Sequence, residues 1–272
     1  MDRRDRDLVA NVLATSRWKH QHLDWQEPLD LLGQQPYLIA EQDSTFVGCL
    51  ACPEEPSGVA WLRVVGIAMG AEPEAVWEAM WGEAARRLAQ EGIHRSACLL
   101  SGSWQRRLLE RTGFRETNAV IFFERSTRRL PSPPQTPLHL RPLNAADHAD
   151  VAAVDHLAFG TLWRISTATL DIAVRQAAYA SVAESEGRLV GYQITTISPL
   201  GAHLARLAVH PQWQGRGVGT ALVVDMLQRL PERGAARVTL NTQADNLASQ
   251  TLYRRLGFEE TPDSFPVFEL SL

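Results

Sequence analysis

Cysteine is scarce in this chain. There are three among 272 residues, Cys49, Cys52 and Cys98, and none in the second half. Cys49 and Cys52 form a lone C-x-x-C, which could be half a zinc site or a redox pair. No second C-x-x-C and no nearby histidine pair completes a tetrahedral site, so no metal is expected. Thr45 to Ala51 reads as a strand, in which residues three apart face opposite ways, and the thiols are expected as ordinary core groups. Long apolar runs are also missing. None is long enough to span a bilayer, and the N-terminus MDRRDRDLVA lacks the apolar stretch of a secretory signal, which predicts a cytoplasmic protein with no membrane partner. Excess positive charge is absent as well: the net charge is −4, and nothing global would hold nucleic acid. The 45% hydrophobic and 21% charged residues that remain are those of a soluble globular protein of one large or two ordinary domains.

The clearest break is Ser126 to Pro137, STRRLPSPPQTP, with four prolines, two arginines and no apolar periodicity. It reads as a stiff, partly extended linker. The expected domains are therefore residues 1–127, a Pro-rich linker 128–137, and residues 138–272. The two halves look like copies of one design. Gly48 and Gly191, each ending a Val-Gly strand, are 143 residues apart, and so are Arg63 and Arg206. Arg106 to Phe114 and Gln250 to Phe258 are short helices closing on Gly-Phe at an offset of 144. A constant offset across separated landmarks indicates a duplicated domain. In the second half the pattern predicts strands over 138–143, 181–186, 188–197, 203–209, 237–242 and 267–272. Helices are predicted over 145–158, 167–180, 221–230 and 246–256. A mixed α/β fold with helices flanking the sheet is their natural packing.

Gln214-Gly215-Arg216-Gly217-Val218-Gly219-Thr220 carries the most information. Three glycines at alternate positions lie between an apolar strand and a helix. Such a turn leaves N–H groups unpaired at a helix N-terminus, where the helix dipole also favours negative charge, and it suits a phosphate or pyrophosphate. A Walker loop would need a lysine that is absent before Thr220. A dinucleotide fingerprint would need G-x-G-x-x-G in the first strand–helix unit.

With Gln214-x-x-Gly217-x-Gly219 stands a second pattern, Asn246, Ser249, Tyr253, Gly257 and Phe258 in N-x-x-S-x-x-x-Y-x-x-x-G-F spacing. Together they resemble the GCN5-related N-acetyltransferase (GNAT) family over residues 138–272. The tandem layout is similar to that of mycothiol synthase, in arrangement only. The resemblance implies two tandem GNAT-like acyl-CoA N-acyltransferase domains, with acetyl-CoA as co-substrate. Gln214, Gly215, Arg216, Gly217, Val218, Gly219 and Thr220 would hold its pyrophosphate. Leu207, Ala208 and Val209 would pair with the pantetheine arm as an added strand, placing a main-chain N–H at the acetyl carbonyl. Asn246 and Ser249 would contact the cofactor, and Tyr253 would protonate the departing thiolate. Asn246 also suits a helix N-cap, and Tyr253 a core position. Phe159 to Trp163 would border the acceptor, or simply pack as a helix-connecting loop.

The expected function is acetyl transfer from acetyl-CoA to a primary amine, in a small molecule or a peptide α-amine, by direct attack in a ternary complex. The rival is a non-catalytic acyl-CoA-binding regulatory module. Many relatives carry a carboxylate base on the strand after the loop helix, where this chain has Asn241; His203, Glu184 or a water chain would have to substitute. Deprotonating a lysine of pKa ~10.4 at pH 7 costs about 4.6 kcal/mol, against ~1 for an α-amine, so a weak base favours an acceptor of low pKa. In the first half, the 143-residue offset puts Ala71-Glu72-Pro73-Glu74-Ala75-Val76 opposite the glycine loop, and the 144-residue offset puts Leu109 opposite Tyr253. It reads as a copy of the fold that binds no acetyl-CoA. Its tryptophans, among them Trp77 and Trp81 one helical turn apart, read as packing groups.

Overall fold

The computed structural model describes residues 1–55 and 58–272. The chain forms two compact units, one of residues 1–118 and 265–272, the other of residues 119–264. This differs from the boundary expected at the proline-rich segment. Strand pairing draws the division rather than composition: a strand from each half of the sequence completes the unit formed mainly by the other half.

In the first unit, helix α1 (Arg6–Thr15) leads into strands β1 (Ser16–Gln21), β2 (Tyr37–Gln42) and β3 (Thr45–Ala51). After them come β4 (Glu54–Glu55), β5 (Val59–Trp61), β6 (Val64–Ala68), helix α2 (Pro73–Gln90), β7 (Arg95–Leu99) and helix α3 (Ser103–Arg111). β1, β6, β3 and β2 form one ladder in that order. Cys49 is buried in the cluster beneath α1, whereas Cys52 and Cys98 are buried in the cluster beneath α2. The opposite facings follow from strand alternation, and burial pushes the Cys49 and Cys52 thiols up to about 12. Trp77 and Trp81 stack with ring planes 4° apart and 5.7 Å between centroids, on the buried face of α2.

The chain continues through β8 (Arg115–Ser126), β9 (His139–Pro142), α4 (His148–Ala158), α5 (Thr167–Gln176), β10 (Tyr179–Ser185) and β11 (Arg188–Ser198). β12 (Gly201–Val209), α6 (Val218–Arg229), β13 (Arg237–Gln243), α7 (Leu247–Arg255) and β14 (Glu259–Ser271) complete it. Asn144 caps a single 3-10 turn before α4 rather than α4 itself. α5 stops at Gln176, four residues short of the expected end, because Tyr179 and Ala180 are already paired with Thr195 and Ile194 of β11. The second unit's sheet runs β8-β13-β12-β11-β10-β9. β8 enters through residues 120–126, paired antiparallel with the whole of β13. In the first unit the same place beside β7 is filled by residues 267–271 of β14.

The duplication holds residue by residue. β12 and β13 run parallel through Ala202↔Val238, His203↔Thr239 and Leu204↔Leu240. β5 and β7 run parallel through Val59↔Arg95, Ala60↔Ser96 and Trp61↔Ala97, each 143 positions earlier. The paired glycines mark a close approach in both copies. A Cβ on Gly48 would lie 2.6 Å from the Val76 side chain of α2, and one on Gly191 would lie 3.0 Å from the Val218 side chain of α6. Each lets a helix lie directly on the sheet.

Candidate active site

The second unit's sheet opens at one place. β12 and β13 are paired for three residues and then part company after Leu204 and Leu240, while β12 stays paired to β11 up to Val209. The ladder to β11 fixes which main-chain groups face the opening. His210 donates its N–H to the Val190 carbonyl, so Ala208, two residues back, exchanges its bonds with Tyr192 of β11. Leu207 and Val209 therefore present their N–H and C=O groups to the side that β13 has left. Of the three residues expected along the cofactor arm, Ala208 has its main chain turned to β11, and the Val209 carbonyl accepts a hydrogen bond from Gln214 Nε2 at 3.1 Å.

α6 begins at that opening. Gly217 stands at its N-cap with φ 85° and ψ 0°, the left-handed region that L side chains resist, and no side chain caps the helix. The first intrahelical bond runs from the Ala221 N–H to the Gly217 carbonyl at 2.9 Å, so the N–H groups of Val218, Gly219 and Thr220 have no helical partner. Gln214, Gly215, Arg216 and Gly217 are exposed. The Arg216 guanidinium lies over the Trp213 ring, 5.2 Å from its centroid, which holds one positive charge beside the bare helix end. A Cβ on Gly219 would meet Leu252 of α7 at 3.2 Å, Val209 at 3.8 Å and Leu207 at 4.0 Å. The loop, the open edge of β12 and α7 thus converge on Gly219.

α7 carries the second motif. Asn246 is its N-cap: Oδ1 accepts from the Ser249 N–H at 3.2 Å, and Nδ2 donates to Gln243 Oε1 at 3.4 Å. Tyr253 is buried between Phe123 of β8 and Phe258, with ring centroids 6.1 and 5.9 Å away. Burial pushes its phenol well above the ordinary range, against a hydrogen bond with Ser249. It therefore stays protonated throughout the neutral range, as a proton donor must. Gln250 gives α7 its position, donating to the Gln243 and Ala244 carbonyls at the end of β13.

A buried ion pair on the opposite face of the sheet is not evident from the motifs. Arg206 of β12 grips Asp155 of α4 in bidentate fashion, at 2.6 and 2.9 Å, and donates to the Trp163 carbonyl at 3.0 Å. Its guanidinium lies 3.8 Å from the centroid of Phe159, and Tyr192 donates its hydroxyl to the same carboxylate. Phe159 to Trp163 is thereby pinned to β12. In the sequence Arg206 stands out only as a repeat landmark; its first-unit counterpart, Arg63, is likewise buried, between Asp24 and Glu55. Asp155→Ala is expected to cost about 3–5 kcal/mol in urea unfolding, because it strands a buried guanidinium, and Asp155→Ala with Arg206→Met should recover most of that loss.

Of the groups that could replace the missing carboxylate, Glu184 is spent elsewhere. It is bound to His139 and Arg141 at the β9 end of the sheet, and these partners hold its carboxyl below the usual range. In the first unit, α2 starts at Pro73 with Glu74 in its first turn. The counterpart of Asn241, Cys98, is fully buried, with His20 Nε2 3.9 Å from its sulfur, and Leu109 fills the place of Tyr253.

Residues 150–258 match the model of the acetyltransferase (GNAT) family, and the chain carries a domain of that family. It is 31% identical to a mycothiol acetyltransferase of Saccharomonospora viridis over 176 residues, which span 56% of this chain and 57% of that protein. It is 36% identical over 74 residues to the [ribosomal protein bS18]-alanine N-acetyltransferase of Escherichia coli K12, covering 27% of this chain and 50% of the relative. The chain thus spans about half the length of these curated relatives. A solved tandem GNAT protein from the clavulanic acid biosynthesis pathway superposes with a TM-score of 0.67 at 17% identity, covering 100% of this chain and 97% of the other. The fold is therefore that of two tandem GNAT domains. Among the described residues, no helix is long and apolar enough to cross a membrane.

Proposed function

We propose that the second unit transfers an acetyl group from acetyl-CoA to a primary amine, by direct attack in a ternary complex. One observation carries this reading: the uncapped N-terminus of α6 opens on the gap where β12 leaves β13. A pyrophosphate would accept from the free N–H groups of Val218, Gly219 and Thr220, with Gln214, Gly215, Arg216 and Gly217 around it. An extended pantetheine arm would take the open edge of β12, where the Leu207 and Val209 N–H groups can bind it or polarise the acetyl carbonyl. Tyr253 would protonate the departing thiolate, and Ser249 and Asn246 would border the arm from α7. The named relatives acetylate an alanine of a ribosomal protein in one case and belong to mycothiol chemistry in the other, which supports an amine acceptor without choosing between a peptide α-amine and a small molecule.

The first unit binds no acetyl-CoA in this reading, since Glu72 and Glu74 stand where the diphosphate would sit and repel an anion. The test is thiol release from acetyl-CoA against a panel of amines. Wild type is expected to release coenzyme A with at least one amine, with α-amines preferred to lysine side chains. Tyr253→Phe should lower kcat by roughly 10²-fold with the KM for acetyl-CoA little changed. A chain whose melting temperature rises with coenzyme A but which releases no thiol with any amine would instead be an acyl-CoA-binding regulatory module.

A further inference from the structure

Acetyl transfer needs a group that removes a proton from the acceptor, and neither the glycine loop nor α7 supplies it. His203 lies on β12 at the middle of the three residues paired with β13, one step before the strands part. Leu204, Val238 and Leu240 point into the cluster beneath α6, so the alternation of the strands sends His203, Thr239 and Asn241 to the other face. That is the face on which Arg206 holds Phe159 to Trp163. His203 is half-buried, within reach of a ligand. Its Nδ1 lies 2.9 Å from Thr239 Oγ1, and that hydroxyl gives its only hydrogen to the Ala202 carbonyl at 3.3 Å. With the hydroxyl committed to Ala202, the ring donates from Nδ1, which leaves the lone pair on Nε2. The Asn241 side chain, on the same face of β13 two residues beyond Thr239, favours the protonated ring.

From this arrangement we infer that His203 is the general base of the second unit, with Asn241 as the neutral acceptor that steadies its imidazolium; the inference rests on the acetyl-transfer reading above. Nε2 takes one proton from the acceptor ammonium, directly or through one water. The freed amine attacks the thioester carbonyl carbon, forming the C–N bond as the C–S bond breaks. Tyr253 protonates the thiolate and regains its proton from the attacking nitrogen. The proton held by His203 is the one released to solvent, so the products are the amide, the thiol and one proton.

Burial holds His203 below the ordinary histidine range and the Asn241 side chain opposes it, so the ring is neutral at pH 7. The charged groups around it are themselves engaged. On β13, Arg237 is paired with Glu124 of β8, which stands opposite Thr239. On α4, Asp155 is held by Arg206, and His148 is paired with Asp171 of α5. On β11 the residue opposite His203 is the neutral Thr196. An asparagine at 241 is then no longer a vacancy in the machinery but the partner of a different base.

The experiment is the pH dependence of thiol release, with the best amine of the panel, for the full chain and two variants. Wild type should lose activity towards acid with a limb below pH 6.5. His203→Gln should lower kcat by 10²–10³-fold at pH 7.5 and abolish that limb, with coenzyme A affinity and melting temperature unchanged. A limb due to the amine itself would persist in both proteins. Asn241→Asp should move the limb upward by about one pH unit, because a carboxylate would then face the imidazolium. His203→Gln activity within threefold of wild type, or an Asn241→Asp limb that stays or moves down, overturns the assignment while leaving acetyl transfer intact. A wild type that releases no thiol with any amine removes the acetyl-transfer reading and this assignment with it.

Discussion

Gly217→Val is expected to weaken coenzyme A binding by on the order of 100-fold, about 2.7 kcal/mol. Gly217 holds φ at 85°, where a β-branched residue is strained by roughly 1–2 kcal/mol, and it does so at the N-cap of α6. Relief of the strain turns the peptide that follows and misaligns the N–H groups of Val218 and Gly219. Strain alone does not explain such a loss, and Gly234 provides the control. It has φ 74° beyond the far end of the same helix, with nothing within 4 Å of its Cβ position. Gly234→Val should therefore lower the melting temperature to a similar extent yet leave coenzyme A affinity within twofold of wild type. Calorimetric titration of both proteins with coenzyme A decides the matter. Equal affinity losses, or none at Gly217, would remove the α6 N-terminus as the diphosphate site.

A fragment of residues 138–272, the second half as the proline-rich boundary defines it, is expected not to fold. Its sheet would lack the β8 strand that pairs with β13 from Arg237 to Gln243. It would also lack Phe123, which is fully buried and packs against Tyr253. Removing a buried phenylalanine alone costs about 3–5 kcal/mol, and exposing the edge of β13 adds to that. The sum rivals the 5–15 kcal/mol that stabilises an ordinary domain. Residues 119–264 contain the whole compact unit and should unfold cooperatively, with a melting temperature that rises with coenzyme A. By the same reasoning a chain ending at Ser264 should lose the first unit's order, since Val267 and Phe268 are fully buried there. Cooperative, coenzyme A-dependent melting of 138–272 would show that β8 is dispensable.

These two expectations separate what local sequence governs from what it does not. The loop and α7 were legible because their geometry is set within a few residues: alternate glycines permit left-handed backbone, and Asn246 reaches an N–H three positions on. Duplication was legible because copies keep their spacing, and the 143-residue offset survives in the register of both parallel ladders. The end of α5 is not legible locally, because pairing of Tyr179 with Thr195 overrides helix propensity.

The remaining contacts join partners far apart in the chain. β8 and β14 carry no mark of which unit they will join, since a strand's alternation specifies a buried face but not a neighbour. Arg206 and Asp155 are 51 positions apart, and His203 and Thr239 are 36 apart. Hydrogen bonds reach about 3 Å, so only the packing of α4 on β12, and of β12 beside β13, could bring these side chains together. The alternate glycines alone dictate that a bare helix end follows a strand. The sheet determined that this strand parts from its neighbour there, and that a histidine stands at the fork.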